Sequence, residues 1–178
     1  MTSFKASTLL NQLVSVAALA ENRVIGNDGG VPWPDLPEDV RQYRERVADS
    51  PVILGHKTFE SMRGDLPGRR QIVVSRTVDA VDDPTAVVAG GVDAAIELAR
   101  ELVGDRADPE TAVYVLGGGT IYELFQPRVD RMALSHVDGV YEGDTRFPAW
   151  DEVEWRVVGE TEYEGFTLRE WVRRSNAS

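Results

Sequence analysis

Residues 112–125 read AVYVLGGGTIYELF. Ala112–Leu116 is a short apolar run of the kind that forms a buried strand, and Thr120–Phe125 reads as a helix that begins as soon as the glycines end. A strand that passes through Gly117, Gly118 and Gly119 straight into a helix is a βα unit. Helix N-termini expose free N–H groups, and glycines let a diphosphate come close to the backbone. The same turn also serves as a tight strand-to-helix connection with no ligand. It is not the six-residue dinucleotide fingerprint, so the ordinary Rossmann inference does not apply.

Outward from this turn the alternation continues. Leu13–Ala20 (LVSVAALA), Pro51–Gly55 (PVILG), Gln71–Ser75 (QIVVS), Ala86–Ala89 and Arg131–Val137 read as strands. Glu38–Val47, His56–Met62 and Val92–Leu102 read as helices. Val153–Glu160 and Phe166–Arg174 read as a closing antiparallel hairpin. Glu21–Pro37 is rich in Gly, Pro, Asn and Asp and has no period. It reads as one long loop, which in a compact domain is usually functional. The pattern predicts an α/β domain with a mixed, mostly parallel sheet covered by helices on both faces and a C-terminal antiparallel hairpin. Ligands of such sheets bind at the carboxyl ends of the strands.

Length and composition narrow the function. The chain has 178 residues, enough for one domain, and 4 Trp, 5 Tyr and 5 Phe to fill a core. Residues 13–174 read as this domain, with 1–12 as an N-terminal extension and 175–178 as a tail. There is no Cys, which excludes disulfides, thiolate metal sites and cysteine nucleophiles. His56 and His136 lie far apart with no metal-type spacing, so no metal site is expected. Residues 1–11 lack the apolar run of a signal peptide, and no stretch approaches the roughly 18–20 apolar residues of a membrane span. A cytoplasmic, monomeric protein is expected. The net charge is −11, from 30 acidic and 19 basic residues, and Lys5 and Lys57 are the only lysines. Such a chain repels nucleic acid. Many carboxylates with almost no lysine resembles the composition of proteins from salt-accumulating organisms, whose self-repulsion needs screening; an ordinary acidic cytosolic protein is the alternative.

Two sets of residues carry chemistry. Asp39 stands in the first turn of the first helix, where an acidic side chain commonly serves the helix dipole. Pro32-Trp33 just before it and Tyr43 one turn later place it beside aromatic groups. A carboxylate against an apolar pocket is costly unless a ligand's donors pair with it. The second set is basic: His56 and Lys57 after one strand, Arg69 and Arg70 before the next, Arg76 and Thr77 after it. Cations at strand ends in so acidic a chain point to anionic ligand groups, and ordinary surface ion pairing is the alternative.

The blocks Val16–Gly26, Val31-Pro32-Trp33, Leu36-Pro37-Glu38-Asp39, Val52–Met62, Leu66-Pro67-Gly68-Arg69, Ser75-Arg76-Thr77, Leu116–Gly119 with Ile121-Tyr122, Ser135-His136-Val137 and Glu142–Pro148 occur in an order that resembles the dihydrofolate reductases. The resemblance spans about residues 13–174. It implies that family's single-domain fold, an eight-stranded sheet flanked by about four helices, and NADPH-dependent reduction of dihydrofolate. By the same resemblance Asp39 holds the pterin, Trp33 fixes a water beside it and Ser135 supports the carboxylate. Ala17, Ala18, Val31, Val40, Tyr43, Met62 and Leu116 complete the substrate site, with Arg69 on the substrate's glutamate carboxylate. Ala18, Ile25, Gly26, Gly55, His56, Lys57, Thr58, Val74, Ser75, Arg76, Thr77, Gly117, Gly118, Gly119, Thr120, Ile121 and Tyr122 form the implied NADPH site, and the Gly117–Gly118 peptide is expected to be cis. Three departures stand out. Pro34-Asp35 makes the loop before Leu36 one residue longer than in many bacterial members. Ser135 stands where threonine is frequent, and Thr120 where arginine is. The rival readings are another NADPH reductase of this fold, acting on a pyrimidine intermediate of riboflavin synthesis, and a pterin- or nucleotide-binding module without turnover.

Overall fold

Residues alternate in burial where one face of a strand is wet, and run continuously buried where both faces are covered. Residues 13–16 and 51–54 are buried without interruption, so two strands of this chain lie in the middle of a covered sheet. The computed structural model describes residues 12–104 and 111–174; the N-terminal extension, apart from residue 12, and the tail expected at 175–178 lie outside them. In chain order the elements are β1 (Leu13–Ala20), β2 (Val24–Gly26), α1 (Pro37–Val47), β3 (Pro51–Gly55), α2 (His56–Ser61), β4 (Arg70–Val74), β5 (Ala86–Ala89), α3 (Val92–Val103), β6 (Val113–Val115), α4 (Gly119–Phe125), β7 (Arg131–Val137), β8 (Thr145–Arg146), β9 (Trp155–Tyr163) and β10 (Phe166–Arg173).

Eight strands form one sheet in the order β5-β4-β3-β6-β1-β7-β10-β9. All neighbours run parallel up to β7, and β10 then pairs antiparallel with both β7 and β9. On one face α3 lays down Ala95, Ile96, Ala99 and Val103, a stripe at helical spacing, over a cluster that includes Ile53, Ile72 and Val115. On the other face Val47 of α1 and Phe59 of α2 pack with Val52, Leu54 and Val73. The mixed, mostly parallel sheet with helices on both faces is the architecture expected from the sequence.

Two details differ from the sequence reading. The loop after β1 contains β2, which pairs with β8 in a separate two-stranded sheet. Three residues are too few to show a period, and their partner lies more than a hundred positions away. The hairpin is displaced as well. Residues 153–154 belong to a turn in which the Asp151 carboxylate accepts the Val153 N–H at 2.8 Å. Strand β9 then continues to Tyr163, because the turn is made at Glu164-Gly165, where Gly165 takes φ +90°. Glycine adopts that conformation without a Cβ clash. Tyr163 and Phe166 close the turn by stacking at 4.6 Å.

Candidate active site

The middle of β1 and the carboxyl ends of β3 and β6 border two cavities whose walls meet at neighbouring residues, Ser61 with Met62 and Ile121 with Tyr122. The smaller encloses about 140 Å³ and is walled by Val16, Ala17 and Ala18 of β1, Asp39 and Tyr43 of α1, and Met62, Leu116 and Tyr122. Helix α1 starts at Pro37, whose missing N–H suits a first turn. This puts Asp39 on the turn facing the sheet. Its Oδ1 accepts the Ser135 hydroxyl at 2.5 Å and the Gln42 amide at 3.0 Å. Ser135 lies on β7 and is 1 % exposed, so its hydroxyl has little choice of partner. The far wall is neutral: Tyr122 donates its phenol to the Val16 carbonyl at 2.5 Å, and burial pushes its pKa up. Burial also raises that of Tyr43, opposed by the neighbouring Arg44. Among the described residues Asp39 is therefore the one carboxylate in a wall of apolar and uncharged groups.

The larger cleft, about 710 Å³, adjoins this cavity. It is lined by Ile25 and Gly26, by Val31, by Gly55, His56, Lys57 and Thr58, by Val74, and by Gly118, Gly119, Thr120 and Ile121. The Gly117–Gly118 peptide is cis. Gly117 accepts the Gly55 N–H at 2.8 Å, which ties the glycine turn to the end of β3. A Cβ on Gly119 would lie 2.4 Å from Thr145 Cγ2, so any other residue there requires the Thr145 side chain to move. His56 faces Glu60 at 3.2 Å. A further cavity of about 380 Å³ at the end of β4 is lined by Ser75 and Arg76 with Gly90. There the Ser75 hydroxyl accepts the N–H groups of Thr77 and Val78, both at 3.2 Å, and shapes the turn that exposes Arg76.

The structure thus gathers most of the residues singled out from the sequence. Ala17, Ala18, Asp39, Tyr43, Met62 and Leu116 share the first cavity, with Ser135 behind Asp39. Of the residues assigned to the nucleotide, Tyr122 faces this cavity as well. Trp33 stands apart from the cavity wall, buried with Val16, Val24 and Phe166 and edge-on to Tyr141 at 5.9 Å. Val31 lines the larger cleft instead, Val40 is 52 % exposed, and Arg69 is exposed with its guanidinium donating to the Leu102 carbonyl at 3.4 Å.

Other residues of the site were not foreseen. Asn27, Ser61, Asp144 and Thr145 line the larger cleft. Asp144 also holds the loop that follows β2: its Oδ2 accepts the Asp28 N–H at 3.0 Å, and its own N–H donates to the Gly26 carbonyl at 3.0 Å. The Asp28 N–H and the Thr145 hydroxyl keep the Asp144 carboxyl below the usual carboxylate range. Gln42, three residues after Asp39 on α1, stands on the same side of the helix and donates to the Asp39 carboxylate. Among the described residues there is no group of three or more potential metal ligands, and no helix long and apolar enough to cross a membrane.

The sequence profile of the family described as "Dihydrofolate reductase" matches residues 12–169. The chain is 38% identical over 172 residues to "Dihydrofolate reductase HdrB" of Haloferax volcanii, covering 94% of this chain and 86% of that one. It is 38% identical over 173 residues to "Dihydrofolate reductase 1" of Haloarcula marismortui, covering 92% of each. It is 39% identical over 141 residues to "Dihydrofolate reductase type 3" of Salmonella typhimurium, covering 79% of this chain and 81% of that one. With the strand-end cavities, the buried Asp39–Ser135 pair and the glycine turn in place, these matches show that the chain belongs to the dihydrofolate reductase family.

Proposed function

We propose that the protein reduces 7,8-dihydrofolate to 5,6,7,8-tetrahydrofolate with NADPH. The observation that carries this reading is the Asp39 carboxylate. One of its oxygens is held by Ser135 and Gln42, and it stands in the wall of an apolar cavity that opens beside a cation-bearing cleft. A pterin ring offers an N–H and an exocyclic amine, the donors that such a carboxylate accepts.

The residues of the larger cleft fit a dinucleotide. Gly118 and Gly119 line it without side chains, which lets a diphosphate come close to the backbone. His56, Lys57 and Thr58 of this cleft, with Ser75 and Arg76 of the cavity at the end of β4, supply the donors and cations for phosphates, Arg76 and His56 being assigned to the 2′-phosphate that separates NADPH from NADH. When bound, NADPH supplies the hydride that C6 of the dihydropterin receives from the nicotinamide C4.

The chain's own residues do the rest. Asp39 orients and polarises the pterin, and its fixed geometry provides the proximity on which the rate depends. Tyr43, Met62 and Leu116 pack against the ring, and Trp33 helps fix a water beside it. Asp39 is the sole carboxylate of the cavity wall, so the proton that N5 takes up is assigned to solvent. The loop of residues 22–35 closes to exclude bulk water and opens for release. The guanidinium of Arg69 holds only a long bond to a carbonyl, and it can turn to a glutamate carboxylate bidentately. The same reading has the protein working as a cytoplasmic monomer.

The test is to follow NADPH absorbance on addition of dihydrofolate, in low salt and in molar KCl. Substrate-dependent oxidation is expected, faster in KCl. Folded protein that oxidises no NADPH in either buffer would end the proposal.

A further inference from the structure

We propose that Gln42 is a positioning residue of the substrate site, acting through Asp39. This rests on the reductase reading above. Gln42 lies on α1 one turn after Asp39. Its amide nitrogen donates to Asp39 Oδ1 at 3.0 Å and reaches Ser135 Oγ at 3.4 Å. Ser135 in turn donates to the same Asp39 oxygen at 2.5 Å. A carboxamide nitrogen carries two hydrogens, so one end of Gln42 serves both neighbours.

The direction of the amide is forced. Turned over, its oxygen would stand 3 Å from a carboxylate oxygen, acceptor against acceptor. The other end shows the consequence: Gln42 Oε1 is buried and, among the described residues, has no hydrogen-bond partner. Buried polar atoms without partners are rare and lower stability. Methionine, of similar length and with no such acceptor, would relieve the loss. The fold keeps instead a side chain that is unsatisfied at one end and aims its donors at Asp39 from the other. Sites where local stability is given up in this way are commonly functional.

The geometry shows what the donors achieve. A single bond from Ser135 leaves a carboxylate free to swing about its terminal torsion, which is broad for Asp. Bonds from Ser135 on the strand side and Gln42 on the helix side, both on Oδ1, fix its plane. Among the described residues Oδ2 receives no hydrogen bond from the protein. It is the oxygen left for a ligand, held in a set orientation.

The test compares wild type with Gln42→Met and Gln42→Leu, each also made in an Asp39→Ala background. KM values for dihydrofolate and NADPH, melting temperature, and equilibrium Kd for dihydrofolate by tryptophan fluorescence are measured in molar KCl. The single variants are expected to raise KM and Kd for dihydrofolate about 3- to 10-fold. KM for NADPH should stay within about two-fold, and Tm should equal or exceed that of wild type. In the Asp39→Ala background the same change should alter Kd by less than about two-fold, because the group it acts through is gone. Unchanged dihydrofolate affinity, a fall in Tm with both KM values rising together, or equal effects in the two backgrounds would overturn the role of Gln42. Wild-type protein that oxidises no NADPH with dihydrofolate would overturn instead the reductase reading on which it depends.

Discussion

Replacing Asp39 by Asn keeps the shape of the side chain and removes its charge. Its Oδ1 accepts from two donors, so Asn must present its oxygen there and turn an N–H toward the ligand. An N–H facing ring donors repels them. Asp39→Asn is expected to lower kcat/KM for dihydrofolate by about 10²- to 10³-fold. Tm should shift by no more than about 2–4 °C, since the packing is conserved. Thermal melting and steady-state kinetics on one preparation check both. His136 makes the second prediction at this scale. It packs against both Trp150 and Trp171, and its Nε2 accepts the Trp171 indole N–H at 3.3 Å. Burial, aided by Arg169 and opposed by Glu160, lowers its pKa from 6.5 to about 4. A folded pKa below the unfolded one means that the native state prefers the neutral ring. This contribution is whole above pH 6.5 and is lost as pH falls through about 4. His136→Phe, which cannot titrate, should therefore lose less Tm than wild type between pH 7 and pH 4. The difference should be about 2–4 °C, and parallel melting curves would remove His136 as the cause.

The two-stranded sheet of β2 and β8 is the element that attaches the long loop to the rest of the molecule. A Cβ on Gly143 would lie 2.3 Å from Val24 Cγ1 and 2.5 Å from the Gly26 carbonyl. Gly143→Ala should therefore push β2 off its partner and lower Tm by about 2–12 °C, since overpacking typically costs about 1–3 kcal/mol. Asp144→Ala removes the acceptor for the Asp28 N–H without adding bulk. It should leave Tm nearly unchanged and raise KM for NADPH about 3- to 10-fold, because Asn27, Gly29, Gly30 and Val31 on that loop line the larger cleft. An unaltered KM would show that the loop keeps its place without the aspartate. These contacts also show what sequence reveals about elements. Strand β6, its glycine turn and α4 are written in consecutive residues, and local reading finds them. The pairing of Val24 with Arg146 is a tertiary fact about two segments neither of which has a pattern of its own. Asp39 and Tyr43 were legible from their place on the first helix beside Pro32-Trp33, and Ser135 emerged through the family resemblance. Gln42 did not, because an amide on a helix face carries no chemical signature until its partners are in place.

Across the whole molecule the dominant property is charge. The net charge is −11. Several ion pairs are local, such as Arg41 with Glu38, Arg63 with Glu60 and Arg100 with Glu97, which join neighbours one helical turn apart and hold no distant parts together. Two of the matched relatives come from halophilic archaea. Raising KCl from the millimolar to the molar range shortens the screening length from tens of ångströms to about 3 Å. Tm and turnover should both rise with it, and a flat Tm across a KCl series would show that repulsion among the carboxylates is not what limits stability. Sheet order has its own consequence, and it concerns synthesis. Strand β7 carries Ser135 and lies between β1 and β10, yet β10 is the last strand to be translated. While the ribosome is still adding residues 138–165, one edge of β7 stands bare, and the sheet can close only after β10 leaves the exit tunnel. A message cut short before β10 therefore yields no partly active enzyme. It yields a chain in which β7, still paired with β1, is left as a bare sheet edge, open to the wrong neighbour.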